Sequence, residues 1–522
     1  MQLDKVSLAD ARAFSPFFLD YIEQKETLKP FYNRFPLLKN FGDQIKDKQQ
    51  SFPSENRKAL VESLRKQYDG FDISPALADN LTKLEEQKTF TITTGHQLNI
   101  FTGPLYFIFK IITVINACTK LKAEYPDYNF VPVFWMASED HDYEEISYFK
   151  LYGQKYVWDT DQQGAVGRFN TKGLDKLADT LPGDTAIFRN AYKNQPSLAA
   201  AVRQYVNELF GKTGLIVLDA DDKALKALLR SVMLPDVIDQ VTRPIVDKTN
   251  DGLQSLDYKT QVYCRDINFF YLDTGIRSRI EKDGDGFKIV DTDLVFSKPE
   301  MERMIAEEPW KFSPNVILRP LYQEMILPNI AYVGGPAEVI YWLQLKGVFS
   351  HFKVPFPMLM PRNFGMILSQ EIARKFKKTG LSFQNLFEDK NYLFNHWVVQ
   401  HATHTLTVGK ERSAISRHFE DMQSQAGAID PTLAAFVGAE GKRALNSLER
   451  IERKMLRAEK RLHSDKLRQI ESVKDSVFPN GSLQERTDNF LNFYQNDPEF
   501  IGHLMQSFDP FDFKFNLLSY SS

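Results

Sequence analysis

Residues 89–110 read TFTITTGHQLNIFTGPLYFIFK, and the fold class follows from the pattern they set. Residues 89–93 alternate β-branched and aromatic side chains, which predicts a buried strand. Gly95 allows a turn without a Cβ penalty. Gly103-Pro104 predicts a helix start, because a proline in the first helical position gives up no bond it needed. His96, Gln97, Asn99 and Thr102 lie between strand and helix. Such a strand–loop–helix aims free N–H groups and a positive helix end at one point. Gly95, His96, Gln97, Asn99, Thr102 and Gly103 are therefore expected to hold a nucleotide phosphate or another anion.

Further along the chain the same rhythm repeats. Apolar strands are predicted at 129–136, 215–218, 330–333 and 357–360, separated by helical segments. Strands alternating with helices predict an α/β fold with a parallel sheet covered on both faces. Helices precede it, and the first part of the core runs to residue 148 (1–148). Residues 215–236 and 316–370 continue the core. Two stretches interrupt it, 149–214 and 237–315. The first is expected to hold a short strand at 156–158 and a helix at 198–209. The second is expected to hold a hairpin-like piece with strands at 261–264 and 269–272 and a turn at Asp283-Gly284-Asp285-Gly286.

In 371–482 the character changes. Leu448, Ile451, Met455, Ala458 and Leu462 are spaced 3, 4, 3, 4, which predicts a coiled-coil seam. A helix near 412–425 is expected to pair with it as an antiparallel hairpin. Residues 483–522 are read as a helical segment with an aromatic end that folds back on the core.

Two further polar clusters sit at strand ends, where ligands bind in open α/β sheets. Ser138-Glu139-Asp140-His141-Asp142 follows a very apolar strand. Its carboxylates can accept from an amine or sugar, or hold Mg²⁺. Residues 313–338 carry Asn315 and Arg319, then Gly334-Gly335-Pro336 and Glu338. Arg319 is a natural bidentate ligand for a carboxylate. In each case the competing reading is a capped turn or a solvated loop.

Other features carry less. Gly211-Lys212-Thr213 resembles the end of a phosphate loop, but Val206 stands where its first glycine is required. The Asp283 turn lacks a closing acid, since Leu294 occupies that position. His401 and His404 have metal-pair spacing without an evident third ligand. Cys118, in a helix, and Cys264, read as within a strand, are expected to be small core residues.

The chain has 522 residues, so more than one domain is expected, and a net charge of −3 offers no broad basic face for nucleic acid. Two cysteines make no disulfide framework and fit a reducing compartment. No basic-then-apolar leader is evident, and no run reaches the roughly 18 apolar residues of a membrane span. A cytoplasmic protein is expected.

Four stretches together resemble the bacillithiol biosynthesis cysteine-adding enzymes, the BshC family. They are TTGHQLNIFTGPLYFIFK, PVFWMASEDHDYEEI, SPNVILRPLYQEMILPNIAYVGGPAEVIYWLQLKGVF and FPNGSLQERTDNFL. The resemblance covers about residues 90 to 490. It implies a Rossmann-like core with two connecting-peptide insertions and a C-terminal α-helical coiled coil that mediates a homodimer. The implied reaction is ligation of cysteine, through its carboxyl group, to the amine of glucosaminyl-malate. A carboxylate is a poor electrophile, so ATP is the expected activator, its phosphates on the 95–103 loop; the metal requirement is unknown. Glu139, Asp140 and His141 are the implied catalytic residues. Ser138, Asp142, Asn315, Arg319, Gly334, Gly335, Glu338 and Arg362 are the implied substrate contacts, with Arg319 or Arg362 on the malate carboxylates. The loop departs from the family pattern Gly-Gln-Gln in having His96. A nucleotide-binding transferase for another amine and acid, or a non-catalytic coiled-coil scaffold, remain the rival readings.

Overall fold

The computed structural model describes residues 1–520. Its centre is a five-stranded sheet in the spatial order Met358–Pro361, Asn329–Gly334, Thr89–His96, Asn129–Met136 and Ile216–Asp219. All neighbours are parallel. The Thr89–His96 strand is in the middle, paired residue for residue with Asn129–Met136. Its threonines suit this place because their hydroxyls find acceptors: Thr91 and Thr93 donate to Asn329 Oδ1 at 3.1 and 2.9 Å, and Thr94 to the Val333 carbonyl at 2.8 Å. A buried hydroxyl without such a partner would be costly.

The helix Tyr106–Glu124 packs on this sheet through Val114, Ala117, Cys118 and Leu121, against Phe90, Ile92, Ile330 and Val333. Cys118 is thus a core residue, its thiol pushed far up by burial. N-terminal helices Phe41–Ser51 and Ser54–Gln67 precede the sheet; the first contributes Phe41 and Ile45 to the same core and a buried cation, Lys48. Lys48 Nζ sits 3.1 Å from Glu324 Oε2, with both side chains inaccessible. Glu324 Oε1 in turn accepts from Asn329, tying the charge pair to the central strands.

The helix after the first strand begins at Tyr106, not at Pro104. Residues Phe101, Thr102 and Gly103 intervene with φ of 51°, 69° and 62°, a left-handed run that delays the first helical turn. The second interruption is larger than a hairpin. It is a five-stranded antiparallel sheet in the order Val295–Ser297, Gly286–Ile289, Ile276–Asp283, Phe269–Asp273 and Phe312–Pro314. The expected strand at 261–264 is irregular, and Cys264 lies in that loop, its thiol donating to Asn268 Oδ1. Alternation over four residues did not suffice without a partner strand. Gly211-Lys212-Thr213 is a single 3-10 turn ending in left-handed Gly214, a helix exit and not a phosphate cradle. The C-terminal segment also departs from an all-helical reading. After Phe500–Ser507 it ends in a strand, Lys514–Ser519, whose Asn516 amide donates to the Phe364 carbonyl.

The chain divides into two compact units, one of residues 5–366 with 482–517, the other centred on residues 367–481. The second is helical. Gly409–Ile429 and Pro431–Leu462 form the expected antiparallel hairpin. They meet through small residues: a Cβ on Gly441 would lie 3.0 Å from Phe419. The predicted seam is therefore only partly used, and Ile451 and Leu462 stay 48% and 74% exposed. Leu393, Trp397, Val398, Leu406, Leu467 and Ile470 form this unit's core. His401 donates to the Trp397 carbonyl and stacks on its ring, while His404 turns toward Glu459. Among the described residues no helix is long and apolar enough to cross a membrane.

Candidate active site

The sheet order is that of a doubly wound nucleotide-type fold, with its switch point between Thr89–His96 and Asn329–Gly334. There the connections leave in opposite directions and open a crevice beyond the strand ends. A cavity of about 630 Å³ occupies this place, within the usual range for small-molecule sites. It brings together Gly95, His96, Gln97, Ser138, Glu139, Asp140, His141, Asn315, Arg319, Gly335, Glu338 and Arg362. Asn99, Thr102, Gly103, Asp142 and Gly334 are not among its lining residues.

One wall is His96, Lys110 and Glu338. The His96 Nδ1–H donates to the Gln97 carbonyl at 2.8 Å, since a carbonyl can only accept. Burial, then the nearby Lys110 charge, push the imidazole down to about 4 from an ordinary 6.5. His96 is neutral at physiological pH and is no cationic phosphate ligand. Lys110 donates to the Gly95 carbonyl at 2.8 Å and pairs with Glu338 at 2.6 Å. Glu338 also accepts from the Gly335 N–H at 2.7 Å and the Tyr332 hydroxyl at 2.9 Å. It caps its own helix, Pro336–Leu343, and neutralises Lys110.

The folded pKa of His96 lies below its unfolded value, so unfolding takes up a proton between pH 6.5 and 4. Wild-type stability should therefore fall as pH drops through that window, by about 2–3 kcal/mol. His96→Gln should lose this increment, seen as a flatter dependence of urea midpoint on pH relative to wild type.

Beyond Gln97 the 95–103 loop turns away from the cavity. Asn99 donates to the Glu145 carbonyl at 2.8 Å. The amide of Asn489, fully buried, donates to the carbonyls of Phe101 and Gly103, both at 2.7 Å. The Leu105 N–H, which an anion would need, donates to the Asp488 carbonyl at 2.7 Å. A nucleotide phosphate does not fit this turn, because its N–H donors already have acceptors: Phe101 gives its N–H to the Tyr192 hydroxyl, Gly103 to the Ile100 carbonyl and Leu105 to the Asp488 carbonyl. The left-handed backbone at Phe101 and Thr102 is held by the same contacts.

The acidic loop is fixed from below. Ser138 Oγ donates to Asp219 Oδ1. The N–H groups of Val166 and Gly167 donate to the carbonyls of Asp140 and Ser138, both at 2.7 Å. A Cβ on Gly167 would fall 2.8 Å from the Ser138 oxygen. Gly167→Ala is therefore expected to cost about 1–3 kcal/mol by overpacking, measurable as a lowered urea midpoint. Asp142 caps the short helix Tyr143–Ile146 instead of entering the cavity.

Asp140 Oδ1 accepts from the His141 N–H at 2.8 Å and lies 3.7 Å from Arg277. Burial pushes Asp140 up, but His141 and Arg277 outweigh it and hold it well below the usual carboxylate range. Asp140 stays ionised and suits an ammonium. Arg277 donates to His141 Nδ1 at 2.6 Å, since a guanidinium cannot accept. That nitrogen's lone pair is committed, so it is not free to take a proton from substrate. Glu139 differs from both: it is buried and raised by burial, against the pull of its ion pair with Lys226.

The third wall comes from the second insertion and the helix behind it. The Phe312–Pro314 strand pairs with Phe269–Tyr271 and delivers Asn315 to the cavity, where its amide donates to Asn268 at 3.0 Å. Arg319 opens the helix Arg319–Ile326 and bonds with the Tyr341 hydroxyl. Among the described residues, no carboxylate lies within 4.0 Å of its guanidinium. Arg277 lies over the Phe270 ring at 4.1 Å and donates to Ser313 Oγ at 3.2 Å. Arg362, by contrast, is not free. It forks onto Glu485 at 2.6 and 3.1 Å, with both side chains buried. The sequence reading missed Lys110, Arg277 and Glu485, because each acts on a residue distant in sequence. Only the FPNGSLQERTDNFL stretch hinted at Glu485. Among the described residues, no group of three or more His, Cys, Asp and Glu is placed to hold a metal ion.

This is a Rossmann-like protein whose switch-point crevice faces carboxylates and guanidinium groups at once, followed by a helical coiled-coil unit. The family profile described as "Bacillithiol biosynthesis BshC, N-terminal Rossmann-like domain" matches residues 1–363, and "Bacillithiol biosynthesis BshC, C-terminal coiled-coil domain" matches 365–520. A protein of Cytophaga hutchinsonii named "Putative cysteine ligase BshC" is 39% identical over 518 residues, covering 99% of each chain. One of Flavobacterium psychrophilum with the same name is 38% identical over 533 residues, covering 100% of each. One of Chlorobaculum tepidum is 32% identical, covering 86% of each. The chain belongs to the BshC family.

Proposed function

We propose that this protein is a cysteine ligase of bacillithiol biosynthesis that forms an amide between the carboxyl group of L-cysteine and the amine of glucosaminyl-malate, in the cytoplasm. The observation that carries this reading is Arg319, a half-buried guanidinium facing the cavity without a carboxylate partner among the described residues, opposite the ionised Asp140. A cation that the protein leaves unpaired fits an acid group of substrate; the acids opposite fit an amine. Arg319 then holds a malate carboxylate, Asp140 draws in the substrate ammonium, and Glu139 takes one proton from it so that the neutral amine can attack. The names of the relatives support the cysteine half of the reading.

A free carboxylate must be activated before an amine attacks it, and ATP is the proposed source of that activation. Purified protein given cysteine, glucosaminyl-malate and ATP should yield the cysteinyl amide by mass spectrometry, and none without ATP. A deletion strain should lose bacillithiol and accumulate glucosaminyl-malate; a normal thiol pool in that strain defeats the assignment. We also propose a homodimer through the coiled-coil hairpin, where a second copy would cover Ile451 and Leu462. Sedimentation should give a dimer, and charges at both positions should give a monomer.

A further inference from the structure

Behind the cavity wall lies a buried cluster of charges that the proposed chemistry does not use directly. Lys226, on the short helix Lys223–Ala227, has a completely inaccessible side chain. Its Nζ forms an ion pair with Glu139, donates to Asp221 Oδ1 at 2.9 Å and to the Trp310 carbonyl at 3.3 Å. An ammonium has three N–H donors, and all three are directed at fixed acceptors. Asp221 is gripped in turn by Arg168, at 2.6 and 2.9 Å. Asp219 stands beside it, accepting from Ser138 and from the Asp221 N–H. Of Lys226, Asp221, Asp219 and Glu139, only Glu139 reaches the cavity.

Burying such a cluster opposes stability unless every charge is paired, and an apolar replacement is often as stable. Its arrangement is explained if the charge of Glu139 is what it serves. We infer that Lys226 is a positioning residue that keeps the cavity-facing carboxylate of Glu139 ionised and fixed, so that it can accept the proton of an amine substrate. The inference rests on the proposed amide formation. The step balances: one proton passes from the substrate ammonium to the Glu139 carboxylate, leaving a neutral amine and a carboxylic acid. The groups that act on the charge of Glu139 are Lys226, Arg168 and Arg277 on the positive side and Asp221 on the negative, with the Tyr322 hydroxyl close by; Asp140 is its chain neighbour and Asp219 bonds to Asp221. Burial already raises Glu139, and Lys226 is the first opposing charge.

The test is Lys226→Met, with Lys226→Arg as the conservative variant, in the full-length protein. The acid limb of kcat/KM against pH should move up by about one to three pH units in Lys226→Met and return toward wild type in Lys226→Arg. An unmoved limb in a folded Lys226→Met protein overturns the inference. Carboxyl-carbon NMR of labelled glutamate, assigned by loss of the signal in Glu139→Gln, should show the same upward shift of Glu139 without any turnover. This separates the two readings: a shifted carboxyl with no amide product defeats the proposed reaction, and an unshifted one defeats the role of Lys226. If Lys226→Met lowers the melting temperature, adding Glu139→Gln should restore it, because the unpaired buried charge is gone. Failure to restore it counts against the pairing.

Discussion

Glu485→Gln is expected to lower the stability of the core unit by about 3–5 kcal/mol, the cost of leaving one member of a buried ion pair without its partner. Glu485 is fully buried, and its two oxygens take the fork of Arg362 and the N–H of Gly365 at 3.0 Å. Glutamine keeps the shape and removes the charge. It also offers an NH₂ group where only acceptors fit. The Arg362 guanidinium lies over the Tyr106 and Phe364 rings at 5.1 and 4.6 Å, which offsets part of the loss. Urea unfolding followed by tryptophan fluorescence measures the change. Arg362→Met combined with Glu485→Leu should recover most of it, since apolar groups of similar volume need no partner. If the single variant unfolds at the wild-type midpoint, the pair does not clamp the core unit.

Arg319→Ala is expected to reduce kcat/KM for the acidic amine substrate by about 10²- to 10³-fold, equivalent to about 3–4 kcal/mol. No carboxylate of the described residues has to be left unpaired by this change, so folding should be little affected. The loss should appear in KM if Arg319 binds ground state and transition state alike. Arg319→Lys keeps the charge but not the planar fork, and should recover only part of the activity. The decisive comparison is with an acceptor that lacks the malate carboxylates: wild type and Arg319→Ala should then use it equally poorly. Equal activity of the two proteins on the full substrate would remove Arg319 from the site.

Much of this site is legible in the residues themselves. Gly95, Gly335 and the apolar strands preceding them mark strand ends, and polar residues clustered past strand ends converge in a parallel sheet. That logic places His96, Glu139, Asp140 and Arg319 on one cavity. It fails at Asn99, Thr102 and Gly103, where the residues suit a phosphate turn but Asn489 and Asp488 take the backbone groups. It fails also to show that Arg362 is occupied. A residue's type states what it can bind; whether that capacity is already used depends on a partner that sequence spacing does not reveal.

Local patterns in the chain are enough to specify the strand–helix alternation, the parallel sheet, the helical C-terminal hairpin and the three polar clusters. These follow from periodicity, from glycine and proline, and from hydrophobic runs, all of which act within a few residues. Which charges are free is settled by tertiary contacts. Arg362 meets Glu485 across 123 positions, while Arg319 meets no acid among the described residues. Lys110 is neutralised by Glu338, and His141 gives its lone pair to Arg277. Charges pair through space, over distances of a few ångströms, and the fold sets those distances.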